Sequence, residues 1–290
     1  MMVKTSVLEN GCNAKRNGRE DCNRMTDDRL NNKKIIVTGA SSGIGAQLAK
    51  EIAKAGGKPI LIARSADKLG ELCKTIYRDY QIDCPVYPLD LKSEAAVQST
   101  AEVIFEDNGE INALINNAGA GRFAGIQEFS MGEIEDVFSL NVKALMQMTM
   151  LYLNQFSSTQ GDGHIINIAS QAGKLATPKS AVYAASKHAV LGFSNALRME
   201  LAPIGIHLTT VNLGPVNTNF FDNADPSGKY RQSVRRYMLD PHKVAQKIVK
   251  NLFKKKREIN LPWWMEAASR MHGIAPRFLE TMLKKQFNKK

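Results

Sequence analysis

Two side chains four residues apart, Tyr183 and Lys187, carry the plainest chemical possibility in this sequence of 290 residues. On a helix, positions i and i+4 share a face, with Cβ atoms about 5 to 6 Å apart. A phenol titrates near pH 10, too high for ready proton exchange at neutral pH, and a neighbouring ammonium stabilises the phenolate and draws that value down. Such a tyrosine can give a proton to an oxygen that gains charge and take it back in the reverse direction. The Tyr-x-x-x-Lys spacing also arises by chance, on an ordinary half-buried helix residue, so its meaning depends on what stands around it.

A second feature is Thr38-Gly39-Ala40-Ser41-Ser42-Gly43-Ile44-Gly45, placed directly after a strand-like run and followed by an amphipathic helical stretch. Glycines permit the tight turn, let backbone N–H groups come close to a pyrophosphate, and allow the helix to pack closely on the strand. The helix N-terminus adds a partial positive charge. The spacing is G-x-x-x-G-x-G rather than G-x-G-x-x-G, and such turns also serve structure alone. The strand before and the helix after supply the context that a dinucleotide site requires.

The elements that must position these residues follow from hydrophobic periodicity. Short apolar runs occur at Ile35 to Val37, Ile60 to Ala63, Val86 to Leu89, Ala113 to Ile115, Ile165 to Ile168 and Leu208 to Leu213. Runs of this length and composition suit strands buried on both faces. Between them lie segments with a period near 3.6, at Ile44 to Ala55, Ala66 to Asp79 and Glu94 to Phe105, and Ser180 to Leu201 reads as the helix of the Tyr–Lys pair. Alternation of strand and helix predicts an α/β fold, a single doubly wound domain with a parallel sheet covered by helices on both faces. A seventh strand at Glu258 to Leu261 completes the sheet. No internal repeat or low-complexity segment is present.

The formal net charge of +11 suggests a polyanionic partner or a membrane surface until it is divided along the chain. Residues 1–34 carry +3, residues 35–242 carry −2, and residues 243–290 carry +10, with 13 basic against 3 acidic side chains. A nucleic-acid-binding body would spread Lys and Arg over its main face, so no nucleic acid partner is expected. Residues 1–30 read as a disordered N-terminal extension without a secretory signal, and Met25, just before the first strong strand, reads as the translation start. Cys12, Cys22, Cys73 and Cys84 have neither C-x-x-C spacing nor scaffold density, which points to reduced thiols and a cytoplasmic location. The histidines form no metal-spaced pair, and no run of about 18 apolar residues could span a membrane.

With these elements in order, the chain resembles the short-chain dehydrogenase/reductase family from about Lys33 to Leu261. The motifs that carry the resemblance are T-G-A-S-S-G-I-G at 38–45, Asn116-Asn117-Ala118-Gly119, Asn141, Ser170, Tyr183-Ala184-Ala185-Ser186-Lys187, and Gly214-Pro215-Val216-Asn217-Thr218. The resemblance implies a Rossmann-type seven-stranded fold and a catalytic set of Asn141, Ser170, Tyr183 and Lys187. Ser170 would hold the substrate oxygen, and Asn141 would support a water-mediated proton path to Lys187. The implied cofactor contacts are Gly39, Ser41, Ser42, Gly43, Ile44, Gly45, Asp90, Leu91, Asn117, Ala118, Gly119, Tyr183, Lys187, Pro215, Val216 and Thr218. At the end of the second strand stands Ala63, where the family's NAD-selective carboxylate would be, and Arg64 follows it. That pair points to NADP(H). The familiar Pro-Gly before the last loop is Leu213-Gly214-Pro215 here, which keeps the glycine turn.

Residues 218–239 read as a substrate lid, with Phe220, Phe221, Tyr230 and Tyr237 suited to an apolar carbonyl substrate. Arg231, Arg235 and Arg236 either recognise an anionic group or form a solvated face. Ala120, Gly121, Arg122 and Phe123 are expected on the opposite wall. A helix over Pro241 to Lys256 would place Lys254 to Arg257 in its last turn, complementing its dipole. Residues 262–290 read as a tail of two short amphipathic helices, the second opening at Pro276 with Phe278, Leu279, Met282 and Leu283 on one face. That tail either lies on an anionic membrane or folds over the substrate cleft of its own or a partner subunit. Met146, Met148 and Met150 read as core or subunit interface, and the resemblance implies a homodimer or homotetramer. The function expected is NADP(H)-dependent interconversion of a carbonyl and a secondary alcohol. The alternatives are reduction of a carrier-linked 3-oxoacyl group and non-catalytic NADP sensing or membrane-associated binding.

Overall fold

The computed structural model describes residues 28–156, 163–278 and 280–281. Met25 and the extension expected before it lie outside the described residues. Seven strands form one sheet in the order β3-β2-β1-β4-β5-β6-β7. They are β1 (Lys34–Thr38), β2 (Lys58–Ala63), β3 (Val86–Pro88), β4 (Ala113–Asn116), β5 (Gly163–Ile168), β6 (Ile206–Leu213) and β7 (Glu258–Leu261). Every neighbouring pair is parallel.

The apolar runs are continuous because each strand feeds two cores. Ile35 and Val37 of β1 point into one, with Ala113 and Ile115 of β4 and Ile166 of β5. Ile36, Leu114 and Ile165 point into the other. This is the period-two alternation of a pleated strand, with both faces dry. Helices α1 (Gly43–Lys54), α2 (Ala66–Tyr80) and α9 (Pro241–Val249) close the first face through residues such as Leu48, Ile52, Leu69, Ile76, Val244 and Ile248. Helices α3 (Glu94–Asn108), α5 (Ala144–Gln155) and α6 (Ala181–Leu201) close the second through Val97, Ile104, Met148, Tyr152 and Leu197. The sheet is therefore doubly wound, as the alternation of periods predicts.

Several details differ from the sequence reading. Leu30, placed in the extension by sequence, is 1% exposed and packs in the first core, held there by a short helical turn at Asp28–Leu30 whose Arg29 donates to the Leu252 carbonyl at 3.1 Å. Helix α9 stops at Val249 rather than Lys256. A turn with Phe253 at φ 56° follows it, so Lys254 to Arg257 stand exposed outside the helix, and Lys247 is the cation of its last turn. Of the three methionines, Met148 is core, Met146 packs at the edge of a smaller cluster, and Met150 is exposed.

The turn after α9 is tied to the sheet by a buried histidine. The Phe253 N–H donates to His164 Nδ1 at 2.8 Å, so Nε2 carries the proton and donates to Thr209 Oγ1 at 2.9 Å. Thr209 in turn donates to the Lys256 carbonyl. Burial, reinforced by His207, pushes the His164 pKa down to about 3. The unfolded chain binds a proton at this residue below about pH 6.5, whereas the folded chain does so only near 3, so its contribution to stability is lost as pH falls through that window. His164→Gln is expected to be less stable at pH 7.5 yet to lose less stability than the parent between pH 7 and pH 4. Urea unfolding followed at several pH values measures this.

Candidate active site

Between β1 and β4 the strand order reverses, and the crevice at the carboxyl ends of these strands is where a doubly wound sheet binds ligands. A cleft of about 1340 Å³ opens there. The loop after β1 forms its floor. Gly39 has φ 65° and Gly43 φ 55°, both in the left-handed region that glycine adopts without strain. A Cβ on Gly45 would lie 2.2 Å from the Gly39 carbonyl oxygen, so only glycine lets α1 start beneath the turn. The loop is fastened from β4: Thr38 Oγ1 accepts from the Asn117 and Ala118 N–H groups at 2.9 and 3.1 Å, and Asn117 Nδ2 donates to the Thr38 carbonyl at 2.9 Å. Ser42 makes no capping bond at the start of α1, which leaves the first-turn N–H groups without a side-chain cap.

Nearly all the residues expected to hold a cofactor line this one cleft: Gly39, Ser41, Ser42, Gly43, Ile44, Arg64, Asp90, Leu91, Asn117, Ala118, Gly119, Tyr183, Lys187, Pro215, Val216 and Thr218. Gly45 is the exception and acts from behind the loop. Lys68, on the first turn of α2, also faces the cleft near Arg64. Nothing in the sequence singled it out among many exposed lysines.

At the other end stands the tyrosine. Tyr183 and Lys187 lie on the first turns of α6, with Lys187 Nζ 5.9 Å from the phenol ring centre. Lys187 is buried and donates to the Ile168 carbonyl at the end of β5, at 2.9 Å. Ser170, two residues later, is also buried; its Oγ donates to the Leu213 carbonyl at 3.2 Å and accepts from the Ala172 N–H at 3.1 Å. Burial pushes the Tyr183 phenol up to about 12, against the opposing pull of a hydrogen bond with Ser170. The same dryness brings the Lys187 ammonium down to about 8. Burial of the phenol is the larger of the two influences on it, and the Ser170 hydrogen bond favours the phenolate without offsetting that burial.

Asn141 sits behind these groups in a π turn, Ser139–Lys143, that joins α4 (Met131–Phe138) to α5. Its Oδ1 accepts from the Ala120 N–H at 2.8 Å, and its Nδ2 donates to the Ala120 carbonyl at 2.8 Å and to Ser186 Oγ at 3.0 Å. Ser186 donates to the Tyr183 carbonyl at 2.7 Å. Both amide hydrogens are committed, so the side chain clamps the loop after β4 to the helix of Tyr183.

The walls depart further from the sequence reading. Of the residues expected opposite the lid, Phe123 lines the cleft. Arg122 turns away to Glu133 and the Phe129 ring. Gly121 stays small because a Cβ there would lie 2.8 Å from Phe220 and 2.9 Å from Tyr183. The lid holds two short helices, α7 (Phe220–Ala224) and α8 (Lys229–Val234). Arg231 pairs with Asp222 at 3.0 Å, consistent with a solvated face, whereas Arg236 lines the cleft and stacks on Tyr237. Helix α10 (Trp263–Ile274) from the tail adds Trp264, Met265 and Ala268 to the same wall. The tail helix therefore covers its own cleft, and Gly214 lets it approach, since a Cβ there would lie 2.6 Å from Met265 Sδ. Residues 276–278 and 280–281 are helical, while Leu279, Met282 and Leu283 lie outside what is described. Lys174, which the sequence reading passed over, pins α10 by bonding Glu266 at 2.7 Å and Glu258 at 2.5 Å.

The sequence pattern of the short chain dehydrogenase family matches residues 33–228. The chain belongs to that family. An uncharacterized oxidoreductase of Staphylococcus haemolyticus is 33% identical over 220 residues, 76% of this chain and 90% of that protein. Among solved structures, the 3-ketoacyl-(acyl-carrier-protein) reductase of Brucella melitensis complexed with NADH is 25% identical with a TM-score of 0.72, covering 80% of this chain and 97% of that one. A single-site variant of actinorhodin polyketide ketoreductase with NADPH is 26% identical with a TM-score of 0.71, covering 79% and 95%. This short-chain dehydrogenase is an oxidoreductase by family, and the Asn141 clamp holds the loop after β4 to the helix of Tyr183 and Lys187. Asn141→Ala leaves the Ala120 N–H and carbonyl without their buried partner. A loss of about 2 kcal/mol is expected in urea unfolding, with turnover falling alongside it.

Proposed function

We propose that this enzyme interconverts a carbonyl and a secondary alcohol on an apolar substrate, using NADP(H). The observation that carries the reading is the meeting of Ser170, Tyr183 and Lys187 in the same cleft as the glycine loop. The site fits the cofactor on its own terms. The α1 N-terminus has no side-chain cap, Gly43 lets Thr218 close over the loop, since a Cβ there would lie 3.2 Å from the Thr218 methyl, and Lys187 lies near Gly119 between the two ends. Ala63 brings no carboxylate to the end of β2, while the exposed Arg64 and Lys68 supply cations for a 2′-phosphate. When bound, NADPH supplies the hydride that reaches the carbonyl carbon.

The chain's own residues handle the oxygen. Ser170 Oγ donates to the carbonyl oxygen in place of the Leu213 carbonyl, and Tyr183 donates its proton as negative charge develops there. A phenol held near 12 is fully protonated at neutral pH, which is the form that reduction needs. Lys187, near 8, is still mostly an ammonium at pH 7, and its charge stabilises the phenolate left behind. Oxidation needs the phenolate, the form that burial disfavours. The aromatic wall of Phe123, Phe220, Phe221, Tyr230 and Trp264 excludes water and suits an apolar substrate.

Tyr183→Phe is expected to keep NADPH binding by fluorescence titration and to lose NADPH oxidation by about a thousandfold over a panel of aldehydes, ketones, diketones and 3-oxoacyl thioesters. Retained turnover defeats the mechanism, and activity confined to the thioesters moves the substrate to the carrier-linked class. Arg64→Asp is expected to weaken NADPH binding roughly tenfold or more while changing NADH binding little. Equal losses for both cofactors overturn the NADP(H) assignment.

A further inference from the structure

Helix α10 lies on the cleft with little apolar burial to keep it there. Of its twelve residues only Ser269 is buried, while Trp263 and Ile274 are 77% and 86% exposed. A polar cluster holds the helix instead, set between α10, β7 and the turn at Gln171–Gly173 that follows Ser170. At its centre the Lys174 ammonium uses all three of its donors, on Glu266 of α10 at 2.7 Å and on Glu258 and Asn260 of β7 at 2.5 and 3.2 Å. Lys174, Glu258 and Glu266 are all largely shielded from solvent.

The cluster has more acceptors than donors. Asn212 Nδ2 donates to Asn260 Oδ1 at 2.7 Å and Glu258 Oε2 at 3.3 Å, and Gln171 Nε2 donates to the Asn212 carbonyl at 3.2 Å. Gln171 Oε1 and Asn212 Oδ1 are buried without a hydrogen-bond partner. Arg270 bonds the other Glu266 oxygen at 2.9 Å, but from the same helix, so it ties α10 to nothing outside itself. Removing Lys174 would therefore leave two shielded carboxylates among acceptors already in excess, which is the costly way to break a buried ion pair. The base of the lysine is fixed: Gly173 packs on α6, where a Cβ would lie 2.8 Å from the Lys187 carbonyl, and its N–H donates to the Ser170 carbonyl at 2.9 Å. The ammonium thus reaches outward from a firm turn to a helix that needs it.

We propose that Lys174 is a positioning residue that sets the outer wall of the substrate end. It holds Trp264, Met265 and Ala268 against the cleft, where Trp264 also meets Tyr237 of the lid with ring centres 5.9 Å apart. An apolar substrate long enough to reach that wall gains its contacts, and a short one does not. The wall is remote from the reacting oxygen and holds substrate and transition state alike, so its loss raises KM and leaves kcat in place. The kinetic consequence rests on the carbonyl reading, whereas the placement of α10 is measured without turnover.

The full-length protein, Lys174→Met and the milder Glu266→Gln are compared on butanone and on nonan-2-one. In Lys174→Met the KM for nonan-2-one is expected to rise about tenfold with kcat within about twofold, while both constants for butanone and the affinity for NADPH stay at the parent's values. Glu266→Gln is expected to move the same KM in the same direction by less, and it carries the test where the methionine variant does not fold. Amide hydrogen exchange over residues 263–274 is expected to quicken about tenfold in Lys174→Met and less in Glu266→Gln, with residues 181–201 unchanged. Equal losses on the two ketones, a fall in kcat at constant KM, or unchanged exchange in the tail helix overturns the proposal. A parent enzyme that turns over no carbonyl compound defeats the carbonyl reading alone, and the exchange rates then decide whether Lys174 places α10.

Discussion

The amide of Asn141 joins three parts of the molecule that the sheet alone leaves independent. It grips Ala120 through both backbone groups and reaches Ser186, which holds the Tyr183 carbonyl. The loop after β4, the helix carrying the tyrosine and the α4–α5 helix are thereby fixed to one another. A regular α-helix would present a different side chain at that depth; the π turn at Ser139–Lys143 inserts one extra residue and aims Asn141 inward. The relative placement of Tyr183, Lys187 and the cleft-lining segment 117–119 rests on this contact. Buried amide bonds of this kind are costly to leave half-made, which makes the clamp rigid.

The second constraint is dryness. Lys187 is an ammonium in the interior, tied to one strand-end carbonyl, and Tyr183 is a phenol packed among Phe123 and Phe220. Burial moves the two groups in opposite directions, the phenol up and the ammonium down, so each is pushed toward its neutral form. That keeps the phenol protonated and brings the ammonium closer to giving its proton up. Phe123 and the aromatic side chains after β6 pack around the phenol, so the segment that walls the cleft also contributes to that burial.

The tail belongs to the site more than its composition suggests. Gly214, Lys174, Glu258 and Glu266 bring α10 against the cleft, although they come from four separate segments. The net charge that first looks like a property of the whole molecule resides in residues 243–290, around a helix with one face on the cleft and one on the solvent.

What the sequence by itself determined is local and periodic. Apolar runs such as Ile35 to Val37 could only be strands wet on neither face, the glycines at 39, 43 and 45 could only form a tight turn before a helix, and Tyr183 and Lys187 had to share a helical face. Those readings hold because they depend on neighbours a few residues away. The end of α9 at Val249 was not legible, since it is set by a bond from Phe253 to His164, 89 residues distant in sequence. The turning of Arg122 to Glu133, the burial that raises the Tyr183 phenol and the arrival of Trp264, Met265 and Ala268 in the cleft were not legible either. Each depends on burial and on partners that only the folded chain brings together, and a one-dimensional pattern carries neither quantity.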